Sequence, residues 1–133
     1  MCSNAVYDEA MSRPVAPPGW PAPVRPPGAP DWETTAVAWL LDLCPPEFRG
    51  YPTVRRHVVV LARFAAIHVE ACQAAAQRGL GEMRTSLRDL LEPEAIEGAV
   101  ETWERELARL SAVRRSVELV EEALRGRRFR ARL

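Results

Sequence analysis

The sequence predicts an all-α protein, built as a long antiparallel helical hairpin with a short preceding helix and a proline-rich N-terminal arm. Eight of the twelve prolines fall between Pro14 and Pro30, so this region cannot form a helix. Apolar residues then recur at spacings of three and four along two long stretches, which is typical of amphipathic helices. Only Leu91, Glu92 and Pro93 separate these stretches, so we expect the two helices to fold back on each other.

Composition excludes several classes of protein. The chain has 133 residues, enough for about one domain, and its 18 basic and 18 acidic residues cancel, which gives no reason to expect an obligatory nucleic-acid or membrane partner. Its three cysteines, Cys2, Cys44 and Cys72, show no CxxC spacing, so neither a disulfide framework nor a zinc ribbon is indicated. The N-terminus also lacks the basic and then apolar run of a signal peptide. We expect a soluble cytoplasmic protein with free thiols.

The arm, residues 1–30, is expected to be extended or partly disordered, because prolines at this density prevent helix and central-strand formation. Its PxxP spacings match ligands of polyproline-binding domains, but such spacings are hard to avoid in any proline-rich run. Trp20 and Trp32 favour packing over recognition, because large apolar rings gain free energy when they leave water. We therefore expect the distal half of the arm to lie on the helices.

Three helices are predicted within a helical domain of residues 31–126, at about 31–43, 54–91 and 93–125, followed by a basic tail of residues 127–133. Asp31 is expected to cap the first helix, and Pro45 with Pro46 to end it. Thr53 is the expected cap of the second helix. Pro93 suits the first turn of the third.

The second helix carries one narrow polar stripe. Its members recur every seven residues: Arg56, Arg63, Glu70, Gln77 and Arg84. Between His57 and Ala76 almost every other residue is apolar, so this half of the helix should be covered on more sides than the first helix and the arm can reach. We expect a homodimer to cover the remainder, since two-fold dimers are the commonest oligomers. The alternative is that the arm alone completes the cover.

The short link also predicts a register for the hairpin. Folding about Glu92 makes the numbers of facing residues add up to about 184. Trp103 should then face Gly81, and a cleft for the indole ring would explain glycines inside a helix, where each costs about 1 kcal/mol relative to alanine.

No set of residues indicates catalysis, a metal or a cofactor. His68 and Cys72 lie one turn apart and could share a metal, but a site needs three or four ligands and the sequence offers no obvious others. Motifs for a nucleophilic serine or a phosphate-binding loop are absent from the sequence. We expect a protein without enzymatic activity.

Charge distribution is the strongest remaining signal. With the second and third helices antiparallel, arginines from distant parts of the chain meet at one end of the hairpin. This Arg-rich end also includes one aromatic residue, and its members are Arg49, Arg55, Arg56, Arg125, Arg127, Arg128, Phe129, Arg130 and Arg132. Acidic residues gather at the opposite end: Asp89, Glu92, Glu94, Glu97 and Glu101.

The Arg-rich end has three interpretations. Its charges could be neutralised internally, by Asp42, Glu47, Glu121 and Glu122; by an acidic face of a partner protein; or by phosphate. The sequence favours a small protein–protein interaction or adaptor protein that uses the hairpin and the Arg-rich end. The alternative is an accessory protein that binds phosphate or nucleic acid through the same arginines.

Overall fold

The computed structural model describes residues 14–126, and all regular structure in that part of the chain is helical. The elements are α1 (Trp32–Leu43), a 3₁₀-helix (Pro46–Gly50), α2 (Pro52–Arg56), α3 (Val58–Ser86) and α4 (Pro93–Leu124). The two long helices, α3 and α4, pack against each other as a helical hairpin. The predicted fold class is confirmed.

The hairpin register agrees with the predicted sum of about 184. Three polar pairs across α3 and α4 have residue numbers that add up to this value: Arg63 with Glu121, Glu70 with Arg114, and Gln73 with Ser111. The centre of the core lies where α1 meets the hairpin, and its largest fully buried side chains are Leu40, Leu61, Val117 and Val120.

The predicted second helix is broken at His57, which the sequence did not indicate. His57 has extended backbone, with φ −117° and ψ 91°, so α2 and α3 are separate helices. Three β-branched valines follow His57, and such residues are weak helix formers. Interrupting the helix at this point therefore costs little free energy. The break allows Val54 of α2 to enter the core.

The C-terminal end of α3 also differs from the prediction. The helix ends at Ser86 rather than near Leu91, and Leu87 begins a turn in which its carbonyl accepts hydrogen bonds from the amides of Leu90 and Leu91. Glu92 is extended, because proline at the next position disfavours helical backbone. The connection between α3 and α4 is therefore longer than the three predicted residues.

Neither predicted side-chain cap forms. Asp31 precedes α1, but it has a left-handed backbone with φ 64° and its carboxylate makes no capping hydrogen bond. Aspartate tolerates this conformation, which turns the chain from the arm into the helix. Thr53 lies inside α2, because the helix already begins at Pro52.

The described part of the arm, residues 14–30, lies against the helices through a series of tight turns. Val24 is buried, and the Trp20 indole donates a hydrogen bond to its carbonyl at 2.9 Å. The rings of Trp20 and Trp32 are 6.4 Å apart and pack against the core. Ser116 of α4 donates to the Gly19 carbonyl at 2.8 Å. These contacts agree with the expected packing role of the two tryptophans.

Trp103 packs against Gly79, and the prediction that it faces Gly81 is wrong. A Cβ built at Gly79 would lie 3.1 Å from two atoms of the indole ring, whereas a Cβ at Gly81 would meet nothing within 4 Å. The backbone register is as predicted, but the indole ring lies against Gly79, two residues before the expected position. The glycine that makes room for the ring is therefore Gly79.

We predict that Gly79→Leu lowers the free energy of unfolding by about 1–3 kcal/mol, because the new side chain must displace the Trp103 ring. Gly81→Leu is the matched control. It should leave stability unchanged or raise it by up to about 1 kcal/mol, since leucine favours helix over glycine and the site is open. Chemical denaturation of both variants measures this difference, and equal stabilities would contradict the assigned role of Gly79.

Candidate interaction surface on helix α3

The structure describes four members of the predicted Arg-rich end, and it gives two of them internal carboxylate partners. Arg49 forms an ion pair with Asp42, and Arg125 lies 3.5 Å from Glu121. Arg55 donates to the Arg49 carbonyl, and Arg56 is exposed at the end of α2. The other predicted members lie outside the described residues: Arg127, Arg128, Phe129, Arg130 and Arg132.

Carboxylates of the chain itself therefore neutralise Arg49 and Arg125. Phosphate or nucleic-acid binding through this end stays a prediction, and no contact among residues 14–126 specifically favours it. The opposite end of the hairpin is also less purely acidic than expected. Arg84 pairs with Glu97 at 2.9 Å, and both Arg84 and Arg88 line a cleft beside Pro93.

The polar stripe of α3 lies along its boundary with α4 and pairs across it. Arg63 reaches Glu121 at 3.2 Å, and Glu70 reaches Arg114 at 3.1 Å. Glu121 is itself buried, with a residue exposure of 8%, and its Oε2 atom makes no hydrogen bond within the described chain. Arg63 and Glu70 are the only charged residues between Val58 and Gln77. This pairing therefore keeps both charges of that segment at the α4 boundary.

The side of α3 that lies next to this stripe, which we call the outer face, is mostly apolar and is exposed along most of its length. Phe64 and Ile67 are 45% and 52% exposed. Beyond them the exposed residues are small: Ala71, Ala74 and Ala75. A soluble domain seldom leaves a continuous apolar strip of this kind without a use for it.

A shallow groove marks the N-terminal half of the outer face. Its volume is about 250 Å³, and its lining residues are Val59, Val60, Arg63, Phe64, Ile67 and Arg125. Phe64 is held in place by an edge-to-face contact with Phe48 of the 3₁₀-helix, at a ring distance of 5.6 Å. The groove therefore has an apolar floor, and Arg63 and Arg125 lie at its margins.

By length and composition alone, α3 is the one helix in the described part of the chain that could cross a membrane. In its most apolar 18-residue window, 28% of the residues are buried within the protein. Core helices of soluble proteins meet the same criterion, so this property is weak support for a membrane span. The absence of a membrane partner stays a prediction.

His68 and Cys72 do meet, with Nε2 and Sγ 3.5 Å apart. Among the described residues no group of three or more potential ligands could hold a metal ion, so nothing there extends this pair into a site. Cys44 differs from Cys72 because it is buried, and burial raises the pKa of its thiol.

The sequence predicted that part of α3 would lack cover, yet it assigned the contact surface to the Arg-rich end. The residues it did not single out are Val59, Val60, Phe64 and Ile67. A signal for them was present in the sequence, since a helical segment with only two charged residues between Val58 and Gln77 is apolar on more than one side. The sequence alone did not show which face of α3 would be covered by α4.

The chain matches no protein-family model, and comparisons with curated proteins and with solved structures find no significant similarity. Its function therefore has to be inferred from the chemistry of its own surfaces.

We predict that Arg63→Ala lowers the free energy of unfolding by about 1–2 kcal/mol, because it removes the nearest partner of the buried Glu121 carboxylate. Arg78→Ala removes a solvent-exposed pair with Glu82 on the same helix, and it should leave stability nearly unchanged. Denaturant titration compares the two variants. An Arg63→Ala protein as stable as Arg78→Ala would mean that the pairing of Glu121 contributes nothing.

We also predict that iodoacetamide modifies Cys44 much more slowly than Cys72 in the folded protein at mildly alkaline pH. Burial blocks access to Cys44, and its raised pKa lowers the fraction of reactive thiolate. Peptide mass mapping over time measures both rates in one sample. After denaturation the two cysteines should react at similar rates. Similar rates in the folded protein would contradict the prediction and would show that the core around α1 opens readily.

Proposed function

We propose that this chain is a non-enzymatic cytoplasmic protein–protein interaction protein that binds through the outer face of α3. The observation that carries the proposal is the exposure of Phe64 and Ile67 on a largely apolar face, which only Arg63 and Glu70 border with charge between Val58 and Gln77. Covering apolar surface of this kind contributes roughly 25 cal/mol for each Å² removed from water. An exposed helical face is also a common way for one protein to recognise another.

The shape and margins of the surface favour a helical partner. A groove along a helix accepts side chains spaced three and four residues apart on an amphipathic helix. Arg63 and Arg125 line the groove, and Arg55 and Arg56 lie in the neighbouring helix α2. Carboxylates beside the apolar residues of the partner would be favoured at this end. In this proposal the Arg-rich end forms the margin of an apolar contact surface.

Photochemical cross-linking in the native host tests this proposal. A benzophenone amino acid is placed at Ile67 on the outer face or, as the matched control, at Glu104 on an exposed position of α4. We expect irradiation to yield a discrete protein adduct from position 67 and none from position 104. Adducts from neither position, or equal adducts from both, would contradict a contact surface on α3.

A further inference from the structure

The outer face of α3 carries a regular heptad pattern. Its residues follow alternating steps of four and three: Val60, Phe64, Ile67, Ala71, Ala74, Arg78 and Gly81. This is the spacing of the contact positions in a coiled coil. Residues on the other side of α3, including Ala62, Ala65 and Val69, are buried in the hairpin core. The helix therefore has a second seam of about 30 Å, at about 1.5 Å per residue, that nothing in the described chain covers.

Side-chain size divides this seam into two halves. Phe64 and Ile67 stand out from the helix in the N-terminal half, and the small residues Ala71 and Ala74 follow in the C-terminal half before Arg78. An antiparallel copy of the same helix would set Phe64 against Ala74, Ile67 against Ala71 and Val60 against the Arg78 side chain. A parallel copy would set large against large and alanine against alanine, which crowds one half and leaves the other empty. Close packing favours the antiparallel arrangement.

Charge at the two ends of the seam favours the same arrangement. The N-terminal end is flanked by Arg56, Arg63 and Arg125, whereas the C-terminal end carries Arg78 of the seam and Glu82, which form an ion pair at 2.9 Å and leave no net charge there. Antiparallel helices place this neutral pair of each copy at the level of the basic end of the other. Parallel helices would bring the arginines of the two copies together, and like charges repel.

We infer that the occupant of the outer face is a second copy of this chain, with the two α3 helices antiparallel and the two-fold axis between Ile67 and Ala71. The inference rests on the proposed function, because it names the partner of the same surface. Both copies contribute an identical patch, as a closed two-fold interface requires. The arrangement buries Phe64 and Ile67 of each copy against Ala74 and Ala71 of the other.

The mass of the purified protein in solution tests the inference. Light scattering at micromolar concentrations should give the mass of two chains for the wild type and the mass of one chain for Ile67→Glu. Ala74→Glu tests the small half of the seam and should also be monomeric. Leu90→Glu, at an exposed position in the hairpin connection, is the control that should remain dimeric. Because positions 67 and 74 are exposed, circular dichroism should show unchanged helix content in all variants.

Cysteine cross-linking tests the orientation. In a background in which Cys2, Cys44 and Cys72 are replaced, Phe64→Cys and Ala74→Cys chains are oxidised separately and as an equilibrated mixture. An antiparallel pair should give several-fold faster disulfide formation in the mixture than in either sample alone. Rapid formation with Phe64→Cys alone would overturn the antiparallel arrangement.

The outcomes also separate this inference from the proposed function. A monomeric wild type that forms an adduct with a different protein from position 67 would overturn the second copy as occupant and keep the contact surface. A monomeric wild type without an adduct from position 67 would overturn both. A dimer that Ile67→Glu and Ala74→Glu leave intact would place the interface elsewhere.

Discussion

The pairing of α3 with α4 is the constraint on which the other properties of this protein depend. It decides where the charges of α3 lie, because Arg63 and Glu70 find their partners on α4, at Glu121 and Arg114. A buried carboxylate such as Glu121 is costly without a cation close to it, and this register places Arg63 beside it in addition to Arg125 of the same helix. Once these pairs form, Arg63 and Glu70 lie at the edge of an exposed face whose other residues are uncharged as far as Gln77.

This arrangement gives one helix two apolar seams with different contents. The inner seam is rich in alanine, which suits close packing against α4 and α1, and it includes Gly79 where the Trp103 ring requires room. The outer seam leaves Phe64 and Ile67 exposed. Because α1, the arm and the hairpin already enclose a core, the outer seam is the one that we propose for intermolecular contact. The fold thus separates the residues that stabilise the chain from those proposed to bind.

Local patterns in the sequence predicted most of the architecture. The short connection before Pro93 and the spacing of apolar residues were sufficient for the hairpin and its register, since both depend on near neighbours in sequence. The break at His57 and the cleft at Gly79 could not be predicted in the same way. The break depends on Val54 reaching the core, and the cleft depends on how far the Trp103 side chain extends. Arg49 and Arg125 were predicted as contact residues, and in the structure each pairs with a carboxylate close to it in sequence, Asp42 and Glu121.

Carbene footprinting across a dilution series tests the central claim most directly, because it reports solvent access at single side chains without changing the sequence. We expect Phe64 and Ile67 to be protected in concentrated protein and to become labelled on dilution, while Leu90 is labelled at every concentration. Labelling of Phe64 and Ile67 that is strong and independent of concentration would contradict a second copy on the outer face of α3.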